Sequence, residues 1–217
     1  LENFDFSKAD ITFFSAGGKI SEKYVPIAAK HTVVIDNSSY FRMDPDVPLI
    51  VPQVNSREII NMKKNIIANP NCSTAQLVIV LKNLNDNFKI KRLVISTYQS
   101  TSGAGKKPMD ELLNQTKKAL ESKEIKSENF TKQIAFNAIP HIDKFSTDGY
   151  TKEEIKMIQE SNKILGSNID ITATCVRIPV LVSHAESVNV EFENEAPIDK
   201  VIDCLLYTSD AADDTLC

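Results

Sequence analysis

The sequence predicts an α/β protein: a parallel sheet of βαβ units at the front, an α+β arrangement at the back. Three observations predict it. Short apolar runs, Ile11-Thr12-Phe13-Phe14 and Val33-Val34-Ile35-Asp36, flank a helical stretch and end in polar or glycine turns. A cysteine in Asn69-Pro70-Asn71-Cys72-Ser73-Thr74 stands between the apolar piece Ile66-Ile67-Ala68 and a long apolar segment. Beyond it the pattern changes, and Ser187 to Glu193 alternates with Val188, Val190 and Phe192 on one side, as in a half-buried antiparallel strand.

Taken in order, Ile11 to Gly18 reads as a buried strand closed by a glycine turn, and Ser21 to His31 as a short helix capped by Ser21. Val33 to Asp36 is the next strand, ending at Asn37-Ser38-Ser39, and Leu49-Ile50-Val51 a brief one between Pro48 and Pro52. In such sheets ligands sit beyond the carboxyl ends of strands, where Ser15-Ala16-Gly17-Gly18 and Asn37-Ser38-Ser39 fall. Gly17 and Gly18 read first as a plain turn. Asn71 to Leu84 is a helix apolar on nearly every side. Arg92 to Tyr98 is a strand running into the small polar loop Gln99 to Gly105, and Pro108 opens a helix over 109–122. Ala135 to Ile142 is extended. Thr151-Lys152-Glu153-Glu154 is a capping box for a helix that ends near Gly166, with Ile155, Ile158 and Leu165 facing inward. Ile171 to Ile178 is a strand, and Pro197 starts a final helix.

The 217 residues carry 42% apolar and 25% charged side chains and a net charge of −4, which gives no reason to expect nucleic acid or an anionic membrane as partner. The longest apolar run, Leu77 to Leu81, is far short of a membrane span. Cys72, Cys175, Cys204 and Cys217 form no CxxC pair, so neither a disulfide framework nor a metal site is indicated, and a reducing, cytoplasmic compartment is expected.

Among the candidate residues, a cysteine at a helix start meets unpaired N–H groups and the positive end of the dipole, which favour the thiolate; the alternative is a small buried residue plugging a turn. His31 closes a helix and His141 reads as a core or interface residue. His184 lies in a polar turn, with Glu186 able to orient it, and is either merely exposed or one half of a Cys/His couple with Cys72. Arg177 shares a strand face with Cys175 and Ala173 and needs an anion, from substrate or from a buried salt bridge. Arg42 follows a strand-end turn, and Lys156 with Glu153 reads alone as a surface i,i+3 pair.

Five segments, in order, carry a resemblance: Ile35 to Asp44, Asn69 to Thr74, Ser96 to Gly105, Phe136 to Asp143, and Thr174 through His184 to Ser187. Over roughly residues 10 to 203 the chain resembles the bacterial aspartate-semialdehyde dehydrogenase family. The resemblance implies a partial Rossmann-type, NADP-binding domain (residues 1–70), then an α+β catalytic and dimerisation domain (71–204); residues 205–217, which break from the preceding pattern, read as a non-native tail. It implies NADPH-dependent reduction of L-aspartyl 4-phosphate to L-aspartate 4-semialdehyde, in lysine, threonine and methionine biosynthesis, by a homodimer. It implies Cys72 as nucleophile, His184 as general acid/base and Gln99 as the residue orienting the acyl group. Arg177 would bind the α-carboxylate, Glu153 the amino group, Arg42 and Lys156 phosphate, and Ser102 and Gly103 the nicotinamide cofactor. The family's glycine-rich nucleotide loop and C-terminal helix are not in the sequence, so weak NADPH binding and little turnover are expected. N-acetyl-glutamyl-phosphate reductase, a Cys/His hydrolase without cofactor and a non-catalytic dimerising fragment are the alternatives.

Overall fold

The computed structural model describes residues 1–2 and 4–213. The chain divides into two compact units. The first comprises residues 1–90 and 159–168 and the segment from Phe192 onward; the second comprises 91–158 and 169–191. The change expected at residue 70 falls where the last strand of the first sheet meets the next helix, within the first unit.

The first unit holds a three-stranded parallel sheet in the order β1 (Ile11–Phe14), β2 (Val33–Asp36), β3 (Ile66–Ala68). Helix α1 (Gly18–Ala28) makes the crossover between β1 and β2. Parallel register sets Phe14 beside Asp36 and Asp36 beside Ala68, so the three carboxyl ends are level. Phe14, Val25, Ala28, Val34, Leu49, Ile66 and Val78 belong to one buried cluster beneath that sheet.

Several expectations shift. β1 is not a buried strand: it is at the sheet's edge, and Phe13 is 73% exposed. α1 starts at Gly18, after Gly17 at φ +91°, and Ser21 lies within it. Ser21 is no cap because its hydroxyl donates to the buried Asp36 carboxylate at 2.7 Å, a tertiary partner that outbids the local one. Leu49 to Val51 makes only an isolated bridge to Ala68. Prolines bracket it, and Pro52 opens the short helix α2 (Pro52–Asn55), so the ladder cannot extend.

Helix α3 runs from Cys72 to Phe88, a turn longer than expected, and one side is open to solvent at Cys72, Gln76 and Val80. The final helix, α6 (Ile198–Asp213), continues through the first part of the segment read as a tail; residues 214–217, Cys217 among them, lie outside the described residues.

The second unit is built on β4 (Ile90–Gln99), β5 (Asp170–Arg177) and β6 (His184–Phe192), in the order β5-β4-β6. β5 is parallel to β4, with Gln99 beside Arg177. Lys91 pairs with Glu191 at one end and Ser100 with His184 at the other, so β6 runs antiparallel to β4. That mixture is the α+β pattern the alternation predicts. Segment 135–142 contributes one antiparallel bridge, Ile139 to Arg177. Helix α4 spans Lys106–Leu120, so Pro108 sits within its first turn rather than opening it.

Helix α5 (Lys152–Leu165) carries the predicted capping box: Thr151 N–H donates to Glu154 at 2.7 Å and Glu154 N–H to the Thr151 hydroxyl at 3.4 Å. Its buried face is not Ile155, Ile158 and Leu165, which are half-buried. It is Glu153, Glu154, Met157, Glu160, Ser161 and Ile164. Three carboxylates on a buried stripe each need partners, and those partners define the site. Among the described residues no helix is long and apolar enough to cross a membrane.

Candidate active site

In the first unit, Asn71 caps α3: its Oδ1 accepts from the N–H groups of Ser73 at 2.9 Å and Thr74 at 3.4 Å. Cys72 is the first residue inside the helix and is exposed. The reading of Cys72 as a buried plug is thereby set aside. The thiol stands at the positive end of a helix of 17 residues, with access to small molecules.

Arg42 is almost fully buried, and every nitrogen of its guanidinium is engaged. Nε donates to the Asn69 carbonyl at 2.9 Å, Nη2 to the Asn37 carbonyl at 3.1 Å and Nη1 to Glu160 Oε1 at 3.1 Å. The other oxygen of Glu160 accepts from the Asn71 N–H at 2.7 Å. One carboxylate therefore ties the arginine to the turn that presents Cys72. Three of a guanidinium's five N–H bonds are spent this way, and two are left for an anion. Lys163, one turn after Glu160, donates to the carbonyls of Arg42, Asp44 and Val47 at 2.8 to 2.9 Å, which pins the backbone around Arg42. Burial lowers the Lys163 ammonium from the ordinary lysine value, against the opposing pull of Asp44, Glu58 and Glu160.

In the second unit, Gln99, Ser102, Gly103, Glu153, Lys156, Arg177 and His184 gather at the end of β4. Gln99 donates to Thr97 and to Glu153 Oε1, each at 3.2 Å, and Glu153 Oε2 accepts from Lys156 at 3.1 Å. Glu153 is buried, so its pairing with Lys156 is not the surface contact its spacing suggests. Asp143 adds a second carboxylate 3.4 Å from Lys156. Burial would lower the Lys156 ammonium, but Glu153 and Asp143 outweigh it and hold it above the ordinary lysine value.

Ser100, buried and next to Gln99, holds the remaining residues. Its N–H donates to His184 Nδ1 at 3.0 Å, its carbonyl accepts from Arg177 Nη1 at 2.5 Å, and its hydroxyl lies 2.9 Å from that of Ser102. His184 is the first residue of β6, following Ser183 at φ +78°, and is not in the turn itself. Gly103 leaves no spare room: a Cβ there would lie 3.1 Å from His184 Nε2 and 3.3 Å from Arg177 Nη1. Any larger residue displaces both. Cys175, by contrast, is sealed: burial, with Glu153, Glu154 and Glu186 nearby, pushes its thiol up to about 12 despite a hydrogen bond from Thr97. His31 is exposed, and His141 is half-buried against the Phe145 ring at 4.4 Å, so neither joins the cluster.

Three residues of this arrangement were not singled out in the sequence. Ser100 acts mainly through its backbone, which no residue type reveals. Glu160 and Lys163 sit in a helix of alternating charges; a signal was available in the i,i+7 spacing of Glu153 and Glu160, which places them on one face.

The fold and these clusters define a class. Residues 1–62 match the model of the semialdehyde dehydrogenase NAD binding domain, and residues 81–210 that of the semialdehyde dehydrogenase dimerisation domain. The chain belongs to the semialdehyde dehydrogenase family. Within it, the chain is 49% identical over 214 residues to an aspartate-semialdehyde dehydrogenase of Helicobacter pylori, covering 94% of this chain and 62% of that protein. The crystal structure of aspartate semialdehyde dehydrogenase II of Vibrio cholerae complexed with ASA matches with a TM-score of 0.93 at 49% identity, over 96% of this chain and 63% of that one. The Candida albicans aspartate semialdehyde dehydrogenase with NADP matches with a TM-score of 0.66 at 26% identity, over 90% of this chain and 55% of that one. The chain thus spans about 62% of the length of its relative from Helicobacter pylori.

Proposed function

We propose that this chain carries the catalytic residues for reduction of L-aspartyl 4-phosphate to L-aspartate 4-semialdehyde and phosphate, with NADPH as reductant. The observation that carries the reading is Cys72, exposed as the first residue of a capped helix, on a turn fastened to a buried arginine. Family membership and relatives near 50% identity support the same assignment.

In the proposed reaction the Cys72 sulfur attacks the acyl carbon, the C–O bond to phosphate breaks and a thioester forms. Arg42, through its two remaining N–H bonds, and Lys156 take up the phosphate charge. Arg177 binds the α-carboxylate, Glu153 the ammonium, and Gln99 orients the acyl group; these give an amino acid three distinct attachment points. His184 serves the proton chemistry at the acyl oxygen. Gly103 lets the loop pack tightly against His184 and Arg177, and Ser102 and Gly103 would hold the nicotinamide. When bound, that cofactor supplies the hydride that reduces the thioester carbonyl; loss of the C–S bond then releases the aldehyde and restores Cys72. The preference for NADP and a homodimer built on the dimerisation domain belong to the same proposal.

The test is phosphate-dependent oxidation of aspartate semialdehyde, followed at the absorbance of NADPH. Turnover that Cys72→Ser abolishes, and that N-acetylglutamate semialdehyde does not support, is the expected result. Ester cleavage without any nicotinamide cofactor would replace this reading with a hydrolase.

A further inference from the structure

The turn before Cys72 is gripped at two atoms by the two members of one ion pair. Arg42 Nε donates to the Asn69 carbonyl at 2.9 Å, and Glu160 Oε2 accepts from the Asn71 N–H at 2.7 Å. Pro70, between them, has no N–H to give. Arg42 and Glu160 meet at 3.1 Å, so the two grips close into a clasp that runs from Arg42 through the turn to Glu160 and back. Both side chains are buried. Lys163, on the same helix as Glu160, fixes the backbone on the far side of Arg42 through three carbonyls. Within residues 70–74 only Cys72 is exposed; Pro70, Asn71, Ser73 and Thr74 are buried. The direction in which the sulfur faces therefore follows from a backbone that the clasp holds.

We infer that Glu160 is a positioning residue: one carboxylate holds the turn that presents Cys72 and sets the direction of Arg42, so that nucleophile and phosphate-binding guanidinium are placed together before substrate arrives. The inference rests on the proposed reaction for the roles of Cys72 and Arg42, and on the clasp for its geometry. A carboxylate is the chemistry required. Both partners are donors, and it offers an acceptor oxygen to each. A glutamine amide has one acceptor oxygen, and its NH2 group would face the second donor, so Glu160→Gln opens one end of the clasp. Were Glu160 only a nearby negative charge, its removal would favour the thiolate and speed the reactions of Cys72. Opening the clasp acts in the other sense. The first turn of α3 shifts, and its N–H groups and dipole fall out of line with the sulfur. The two effects differ in sign, which makes them separable.

The test is the rate at which iodoacetamide alkylates Cys72 at pH 8 in the 217-residue chain, read by peptide mass spectrometry. Glu160→Gln, shown to be folded by circular dichroism, is expected to slow it at least fivefold. Thr151→Ala, which weakens the same helix at its start, should leave the rate within twofold of the parent. Arg42→Met with Glu160→Met strands no charge; it should regain stability in urea and yet stay at least fivefold slow, and it carries the test if Glu160→Gln does not fold. An unchanged or faster rate in Glu160→Gln overturns the inference, because Glu160 then acts as a charge or not at all. So does a parent-like rate in the double variant, or a Cys72 equally slow in Thr151→Ala, where overall stability would be the determinant. Alkylation uses neither substrate nor cofactor, so its failure defeats this inference alone. The expected rates in a chain that reduces no substrate defeat the proposed reaction alone.

Discussion

At the scale of residues, Cys72 and Cys175 differ in both access and chemistry. Cys72 is exposed at a helix start, whereas Cys175 is buried with its thiol pushed up to about 12. Iodoacetamide at pH 8 should therefore alkylate Cys72 in the native chain within minutes and leave Cys175 unmodified until denaturant is added; peptide mass spectrometry reads both. Modification of Cys175 first would contradict the burial. The Arg42–Glu160 pair has side chains only 9% and 2% exposed, so removing one partner strands the other's charge. Glu160→Ala should cost about 3–5 kcal/mol in urea unfolding. A double substitution, Arg42→Met with Glu160→Met, should recover much of that loss while abolishing any phosphate dependence of the reaction.

At the scale of elements, α5 has two purposes that pull on its sequence in opposite ways. Its start is set locally by Thr151 and Glu154, and Thr151→Ala should lower stability by about 1 kcal/mol, measured as a fall in denaturation midpoint. Its inner face is set by partners far along the chain. Glu154 accepts from the Cys175 N–H at 3.1 Å, Glu153 from Gln99, and Glu160 from Arg42 and Asn71. A helix that buries carboxylates in place of leucines gains less from water exclusion and more from directed bonds. Those bonds hold Gln99, Arg42 and the Asn71 turn at fixed points. The same logic explains Ser21: at a helix start it would be a cap, but Asp36 on the neighbouring strand takes its hydroxyl.

For the whole molecule, stability should depend on pH through the charges that surround Lys156. Burial would raise the Asp143 carboxyl, but the Lys144 N–H and Lys156 outweigh it and hold it below the ordinary aspartate value. A carboxyl lowered on folding adds stability above its unfolded value, near 4, and loses it as pH falls through the folded value. Lys156, raised on folding, adds stability that is complete below about pH 10.4 and fades as pH climbs through its folded value. Urea midpoints should thus fall at both extremes, and Asp143→Asn should flatten the acid limb. An acid limb unchanged in that variant would show that Asp143 contributes nothing.

Much of this was legible in the residues. Caps, turns and βαβ order depend on neighbours within a few positions, so β2, the Thr151 box and the start of α3 at Cys72 follow from local chemistry. The residue types of the site could be named for the same reason: sulfur, imidazole and guanidinium declare their chemistry wherever they stand. What only the tertiary structure decided is which charges are buried and which atoms face each other. Glu160 meets Arg42 across 118 positions of sequence, and Ser100 meets His184 across 84. Such contacts carry no periodicity, and their energy comes from water excluded by the completed fold.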